Sequence, residues 1–138
     1  MKEVVFLDTN VVLDLLGERE PFYFSAAKIA TMADHGEITI IVSAISYSNV
    51  FYILSKFEDS DTARDKMRKF KVIAQTSDLT DQIIEKALVS AYPYFEDALQ
   101  YYSAIQSNCK ILITRSEQDF KTSSIPVMSP DEFLGTRL

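Results

Sequence analysis

The chain has 138 residues, 47% of them hydrophobic and 25% charged, with a formal net charge of −6. That composition excludes a disordered chain, and the acidity excludes a protein that coats nucleic acid by charge alone. No apolar run approaches the roughly 18 residues of a spanning helix, the single Cys leaves no internal disulfide, and MKEVVFLD meets acids too early for a secretory signal; a cytoplasmic protein without a membrane span is expected.

EVVFLD (3–8) is a short, Val- and Phe-containing run that reads as a buried strand and stops at Asp8-Thr9-Asn10, a turn and N-cap signal. VVLDLL (11–16) follows as a turn or two of helix, and Gly17 and Pro21 punctuate it. Ala26, Ile29, Ala30 and Ala33 fall at helical spacing between Phe24 and His35, with Gly36 as the stop. EITIIV (37–42) is a second buried strand ending at Ser43, and a helix over 44–56 follows. Asp59 and Asp61 interrupt, after which another helix runs to about Phe70 and KVIAQ (71–75) reads as a third strand. Asp78 is the candidate N-cap of the next helix, which Tyr92-Pro93 ends. FEDALQYYSAIQS (95–107) is a helix, KILIT (110–114) a fourth strand and Ile125-Pro126-Val127 an edge strand; Ser129-Pro130-Asp131-Glu132 caps a final short helix.

Strands alternating with helices demand parallel pairing and right-handed crossovers. The expected fold is therefore a three-layer α/β/α sandwich around a mainly parallel sheet of four to five strands, with residues 1–138 forming one domain.

In such a sheet the site lies beyond the carboxyl ends of the strands. Asp8, Ser43 and Thr114 stand at three of those ends, Asp97 opens a helix just before the fourth strand, and Asp119 follows that strand. With one His and one Cys in the chain, a bound metal must be held largely by oxygen, which suits Mg²⁺ or Mn²⁺. Each acid also has an ordinary structural reading: an N-cap for Asp8, a favourable helix-dipole position for Asp97, turn chemistry for Asp119. His35, at a predicted helix end, reads as a surface or capping residue. Lys56, Arg64, Lys66, Arg68, Lys69 and Lys71 concentrate in one stretch, read either as a solvated helix face or as a phosphate-contacting edge. Arg115 is a second candidate phosphate contact. Aromatic residues on the predicted helices, Tyr47, Phe51 and Tyr52 among them, predict core packing and a dimer face.

FLDTNVVLDLL, SAISYSNVFYIL (43–54) and FEDALQYYSAIQSNCKILITRSEQDF, in that order and extending through IPVMSPDEFL, resemble the motifs of PIN-domain proteins, in the branch of VapC-like toxins. The resemblance covers nearly the whole chain. It implies a metal-dependent endoribonuclease that hydrolyses RNA with Mg²⁺ or Mn²⁺, the toxin of a toxin–antitoxin pair, with an antitoxin protein and a second copy of itself as partners. By the same resemblance Asp8, Asp97 and Asp119 match the metal-binding, catalytic acids. Thr9 and Asn10 would fix the Asp8 loop, Ser43 and Thr114 would support the acids by hydrogen bonding, and Ser116 stands at a position that is polar or acidic in the family. The family's second acid aligns with Asn49, an amide that can coordinate a metal but brings no charge; Glu96, adjacent to Asp97 and so pointing about 100° away from it around that helix, is an imperfect substitute. Asn49 keeps an alternative open: a catalytically weakened PIN domain that binds RNA or protein without cutting. An aspartyl-phosphate phosphotransferase is a poor match, because such enzymes carry an acid where this chain has Asn10.

Overall fold

The computed structural model describes residues 2–137. A five-stranded sheet, β1 (Glu3–Leu7), β2 (Ile38–Ser43), β3 (Ala74–Ser77), β4 (Ile111–Ile113) and β5 (Val127–Met128), has the order β3-β2-β1-β4-β5. Every pairing is parallel. The helices are α1 (Thr9–Leu16), α2 (Tyr23–Asp34), α3 (Ala44–Leu54), α4 (Ser60–Ile73), α5 (Asp81–Val89), α6 (Phe95–Gln106) and α7 (Pro130–Gly135), with a 3₁₀ turn over Glu117–Phe120. Among the described residues no helix is long and apolar enough to cross a membrane.

The pleat sends alternate side chains to opposite faces, and that alternation builds the layers. Val5, Leu7, Ile40, Val42, Ile111 and Ile113 face one way, onto a core completed by residues such as Val11, Ile29, Val50, Phe70 and Phe133. Phe6, Ile41 and Leu112 face the other way, against Tyr101, Ala104 and Phe120. Helices therefore cover both faces, as a parallel sheet requires, and the expected three-layer α/β/α architecture is the one observed.

Local chemistry sets the helix starts. Asp59 accepts a hydrogen bond from the Thr62 amide at 2.8 Å, and Ser129 and Glu132 close a reciprocal capping box on α7. Gly36 takes a φ of +75° just past His35, the stop expected after α2.

The edge strand lies over Val127–Met128 rather than 125–127, and α3 ends at Leu54 rather than at 56; two further boundaries differ from expectation for reasons visible in the fold. Lys71–Ile73 belongs to α4 rather than to a strand, and β3 begins only at Ala74. The capped, amphipathic α4 holds Ala63 and Phe70 inward and leaves Val72 exposed, so helix continuity outweighs the local β-propensity. The cap of α5 is Thr80, not Asp78, and its side chain accepts from the Ile83 amide at 3.2 Å. Because β3 runs on to Ser77 in register with Ser43, Asp78 and Leu79 are needed to turn the chain.

Candidate active site

From β1 the chain steps outward to β2 and β3 on one side, then returns to build β4 and β5 on the other, so the connection reverses between β1 and β4. The crevice beyond the strand ends at such a reversal is where open α/β sheets bind ligands. Asp8 and Thr114 stand on its two sides. The Asp8 amide donates to the Ile113 carbonyl at 3.0 Å, and the Thr114 hydroxyl donates to Asp8 Oδ2 at 2.8 Å.

Asp8 caps α1, its Oδ1 accepting from the Thr9 amide at 2.8 Å. The residue is only 6% exposed, and among the described residues no Lys, Arg or His pairs with it. Burial is the main cause that raises its pKa; the bonds from Thr114 and Thr9 oppose that shift, while Glu96 and Asp119 add repulsion. Asp97, in the first turn of α6, is pushed up to about 6, first by burial and then by Asp8, Asp119 and Glu96. Asp119 sits in the 3₁₀ turn, whose backbone is closed by a 2.9 Å bond from its amide to the Ser116 carbonyl. Sequence elements from both halves of the chain thus deliver four carboxylates to one edge, and Asp8 and Asp97 feel the charge of the others.

Beneath the acids lies a buried polar clasp. Gln100 is fully buried, and its Nε2 donates to Thr9 Oγ1 at 2.8 Å and to Ser46 Oγ at 2.9 Å; the two hydroxyls are 2.7 Å apart. Gln100 stands one helical turn from Asp97, Ser46 one turn from Asn49, and Thr9 directly after Asp8. The clasp therefore ties together the three elements that carry the polar groups of the edge. Sequence reasoning passed over both Gln100 and Ser46, although their i, i+3 relation to Asp97 and Asn49 was a usable signal.

Asn10 fastens the other side. Its Nδ2 donates to Thr114 Oγ1 at 3.4 Å and to Ser116 Oγ at 3.3 Å, and its Oδ1 accepts from the Arg115 amide at 3.3 Å. Ser116 in turn donates its amide to Thr114 Oγ1 at 3.0 Å. Ser43 is buried and serves as the N-cap of α3, accepting from the Ile45 amide at 3.3 Å rather than bonding to the acids. Arg115 does not point freely toward a ligand. Its guanidinium holds Asp14, with Nη2 at 3.2 Å from Oδ1, and lies 3.8 Å from the centre of the Phe22 ring. Asp14, one turn after Asn10 on α1, also accepts from Arg19 Nε at 3.0 Å. An acid inside the apolar VVLDLL helix was the sequence signal for this pairing.

Asn49 does not stand free either: its Nδ2 donates to Glu96 Oε1 at 3.0 Å. The amide thus draws one of the edge carboxylates across to α3.

Among the described residues no three Asp, Glu, His or Cys groups converge as a ready-made ligand set. The donor chemistry nevertheless fits a hydrated Mg²⁺ or Mn²⁺, which takes one or two carboxylates and keeps several waters. A buried carboxylate without a cation, facing three more acids, is an arrangement that a divalent ion relieves.

Residues 4–118 match the family model of the PIN domain. The chain is 25% identical over 136 residues to Ribonuclease VapC1 of Aquifex aeolicus (strain VF5), an alignment that takes in 95% of this chain and 93% of that protein. Its fold is similar to that of the toxin-antitoxin complex from Klebsiella pneumoniae (TM-score 0.67, 23% identity, 91% of this chain and 97% of that one). It is also similar to VapBC2 from Rickettsia felis bound to a promoter DNA fragment (TM-score 0.66, 17% identity, 91% and 97%). With the fold, the reversal point and the motif order all in agreement, the chain belongs to the PIN domain family.

Proposed function

We propose that this protein is a metal-dependent endoribonuclease and the toxin of a toxin–antitoxin pair, with residues 1–138 acting as one PIN domain in the cytoplasm. The observation that carries this reading is Asp8: a buried carboxylate at the reversal of the sheet, without a cation and beside Asp97, Glu96 and Asp119. The name of the Aquifex aeolicus relative, a ribonuclease, supports the reaction, and the toxin–antitoxin complexes of similar fold support the biological setting.

Asp8, Asp97 and Asp119 would hold Mg²⁺ or Mn²⁺, with Glu96 and the Asn49 amide oxygen as further donors. When bound, such an ion activates water and stabilises charge on the attacked phosphate. The Thr9 amide and the Thr114 hydroxyl hold the two Asp8 oxygens in place, so that this acid needs no rearrangement to bind. Burial and the neighbouring acids push the Asp97 carboxyl up to about 6 in the metal-free chain, a shift that a cation held there would relieve. The Gln100 clasp keeps α1, α3 and α6 at fixed separation beneath these groups. RNA is the substrate, and an antitoxin protein and a second copy of the chain are the partners.

Asp8→Asn tests this directly. RNA cleavage in Mg²⁺ or Mn²⁺ is expected to fall by about 100-fold or more, since even residues that merely orient a metal ligand contribute about 10- to 100-fold. Cleavage at the wild-type rate would sink the proposal.

The Asn49–Glu96 hydrogen bond favours a second reading, a PIN domain that binds RNA or protein without cutting. With the fourth acid replaced by an amide and Glu96 engaged by it, the charge available to a cation is reduced. Calorimetric titration with Mn²⁺ separates the two. Carboxylate-dependent binding accompanied by cleavage removes this second reading, and no binding at all removes the first.

A further inference from the structure

The cations of α4 divide between two sides of the helix. Lys66 is engaged structurally: its Nζ donates to Glu58 Oε2 and to the Leu16 carbonyl, each at 3.0 Å. Arg64, Arg68 and Lys71 follow one another at i, i+4 and i+7, hence on a single face. They line an open groove of about 550 Å³ between α3 and α4, opposite Tyr47, Ser48 and Phe51. Every charged side chain lining this groove is basic, in a chain whose net charge is −6. Among the described residues Arg64 and Lys71 enter no ion pair. Arg68 has only an exposed partner, Asp65 at 3.6 Å, which it shares with Lys69, and such pairs contribute little.

We infer that this groove holds the backbone of a single-stranded RNA and leads it to the acids. This rests on the ribonuclease reading and adds to it a substrate track. Three cations on one face meet successive phosphates. The Arg64 guanidinium lies over the Phe51 ring, 5.2 Å from its centre, so a cation and an aromatic ring, both groups on which bases stack, stand together in the groove. Stacking of this kind reads unpaired bases, whereas duplex RNA is recognised through its backbone shape. The track also meets the site: Ser48 lines the groove, and the next residue, Asn49, bonds to Glu96 on the acidic edge. A strand lying in the groove therefore crosses only α3 to reach the carboxylates. This assigns a role to the basic stretch that composition alone left between a solvated face and a phosphate contact.

The test uses the full chain carrying Asp8→Asn, so that the RNA stays intact, and a fluorescein-labelled oligouridylate, with Mg²⁺ present and monovalent salt varied. Arg64→Gln/Arg68→Gln/Lys71→Gln is compared with Lys28→Gln/Lys86→Gln/Lys121→Gln, which removes the same charge elsewhere. All six residues lie outside the core, and thermal melting of both variants checks that each folds. The groove variant is expected to lower the slope of log K against log salt by roughly 2, from about 0.7 for each lost phosphate contact, and to weaken binding by about tenfold or more at low salt. With Asp8 restored, KM for the oligouridylate should rise by a similar factor while kcat at saturating RNA is kept. An unchanged slope and Kd, or an equal change in the control variant, overturns the track. So does a groove variant that keeps RNA binding but loses a copurifying protein partner, which would assign the groove to that partner. If the wild-type chain cleaves RNA and the groove variant binds normally, only the track falls; if the wild type neither binds nor cleaves RNA, the ribonuclease reading falls with it.

Discussion

Asp8 and Asp14 lie about one and two-thirds helical turns apart, are buried to a similar degree (6% and 1% exposed) and meet opposite fates. Asp14 is neutralised within the protein: Arg19 and Arg115 both hold it, and Arg115 is itself stacked on Phe22. Asp8 receives hydrogen bonds but no cation, and its nearest charged neighbours are other acids. The first arrangement is how a fold keeps a buried charge for its own stability, and the second is how it leaves one for a ligand. The same stretch of chain therefore contains an acid that the protein neutralises and one that it leaves without a counter-charge, the acid proposed to meet a cation. The available counter-charge, not burial, separates them.

This comparison can be broken most directly at Asp8. Asp8→Asn is expected to abolish most RNA cleavage while leaving the metal-free protein as stable as wild type or more so, because it removes an uncompensated buried charge. Thermal melting without metal checks this, and a large drop in Tm would contradict the contrast with Asp14. The opposite result is expected for Asp14→Ala. Arg19 and Arg115 lose their partner, and because both remain partly solvated the loss should be about 2 kcal/mol, below the about 3–5 kcal/mol of a fully buried broken pair. Urea unfolding measures it. Metal affinity should change little in that variant, and a fall as large as that of Asp8→Asn would erase the distinction.

Gln100→Leu sharpens the comparison at the next level, since Gln100 touches Thr9 rather than the acids. Two donated hydrogen bonds are lost while the Thr9 and Ser46 hydroxyls retain each other, so the loss of stability should be about 1–2 kcal/mol. Mn²⁺ affinity should fall about tenfold, with kcat recovering at saturating metal. An unchanged Mn²⁺ titration alongside the lower stability would reduce the clasp to ordinary packing.

The smallest effect expected is on pH. Asp97 titrates near 6 in the folded chain and near its ordinary 3.8 when unfolded, and Asp8 is shifted in the same direction. Between those values the folded state holds protons that the unfolded state has released, so metal-free stability should fall as pH rises from about 4 to about 6. Asp59, whose pKa is lowered by its cap to Thr62, acts oppositely but only below its ordinary carboxylate range. Saturating Mn²⁺ should flatten or reverse the trend by favouring the ionised acids. Melting curves at about pH 4 and about pH 6, the two ends of that window, with and without Mn²⁺, decide it; stability rising with pH in the metal-free protein would refute the assignment.

Much of this was legible from residues alone. Buried strand runs ending on Asp8 and Thr114, a helix opening at Asp97 and the alternation of elements are local patterns, and each survives in the fold. The boundary at Lys71–Ile73 was not legible, because a strand's start depends on the register that its neighbour offers, and β2 pairs with Ala74 onward. Nor were the partners of Arg115 and Asn49. Arg115 reads as a free phosphate contact until α1 brings Asp14 beneath it, and Asn49 reads as a missing acid until α6 brings Glu96 within 3.0 Å.

The sequence by itself determined which groups stand at element ends, because periodicity, caps and breakers act over a few residues. Only the tertiary structure decided which acids are neutralised, which hydroxyls support them and which basic face is left open beside them. Those outcomes depend on the order of the strands across the sheet, which sets residues about a hundred positions apart, such as Asp8 and Thr114, at hydrogen-bonding distance.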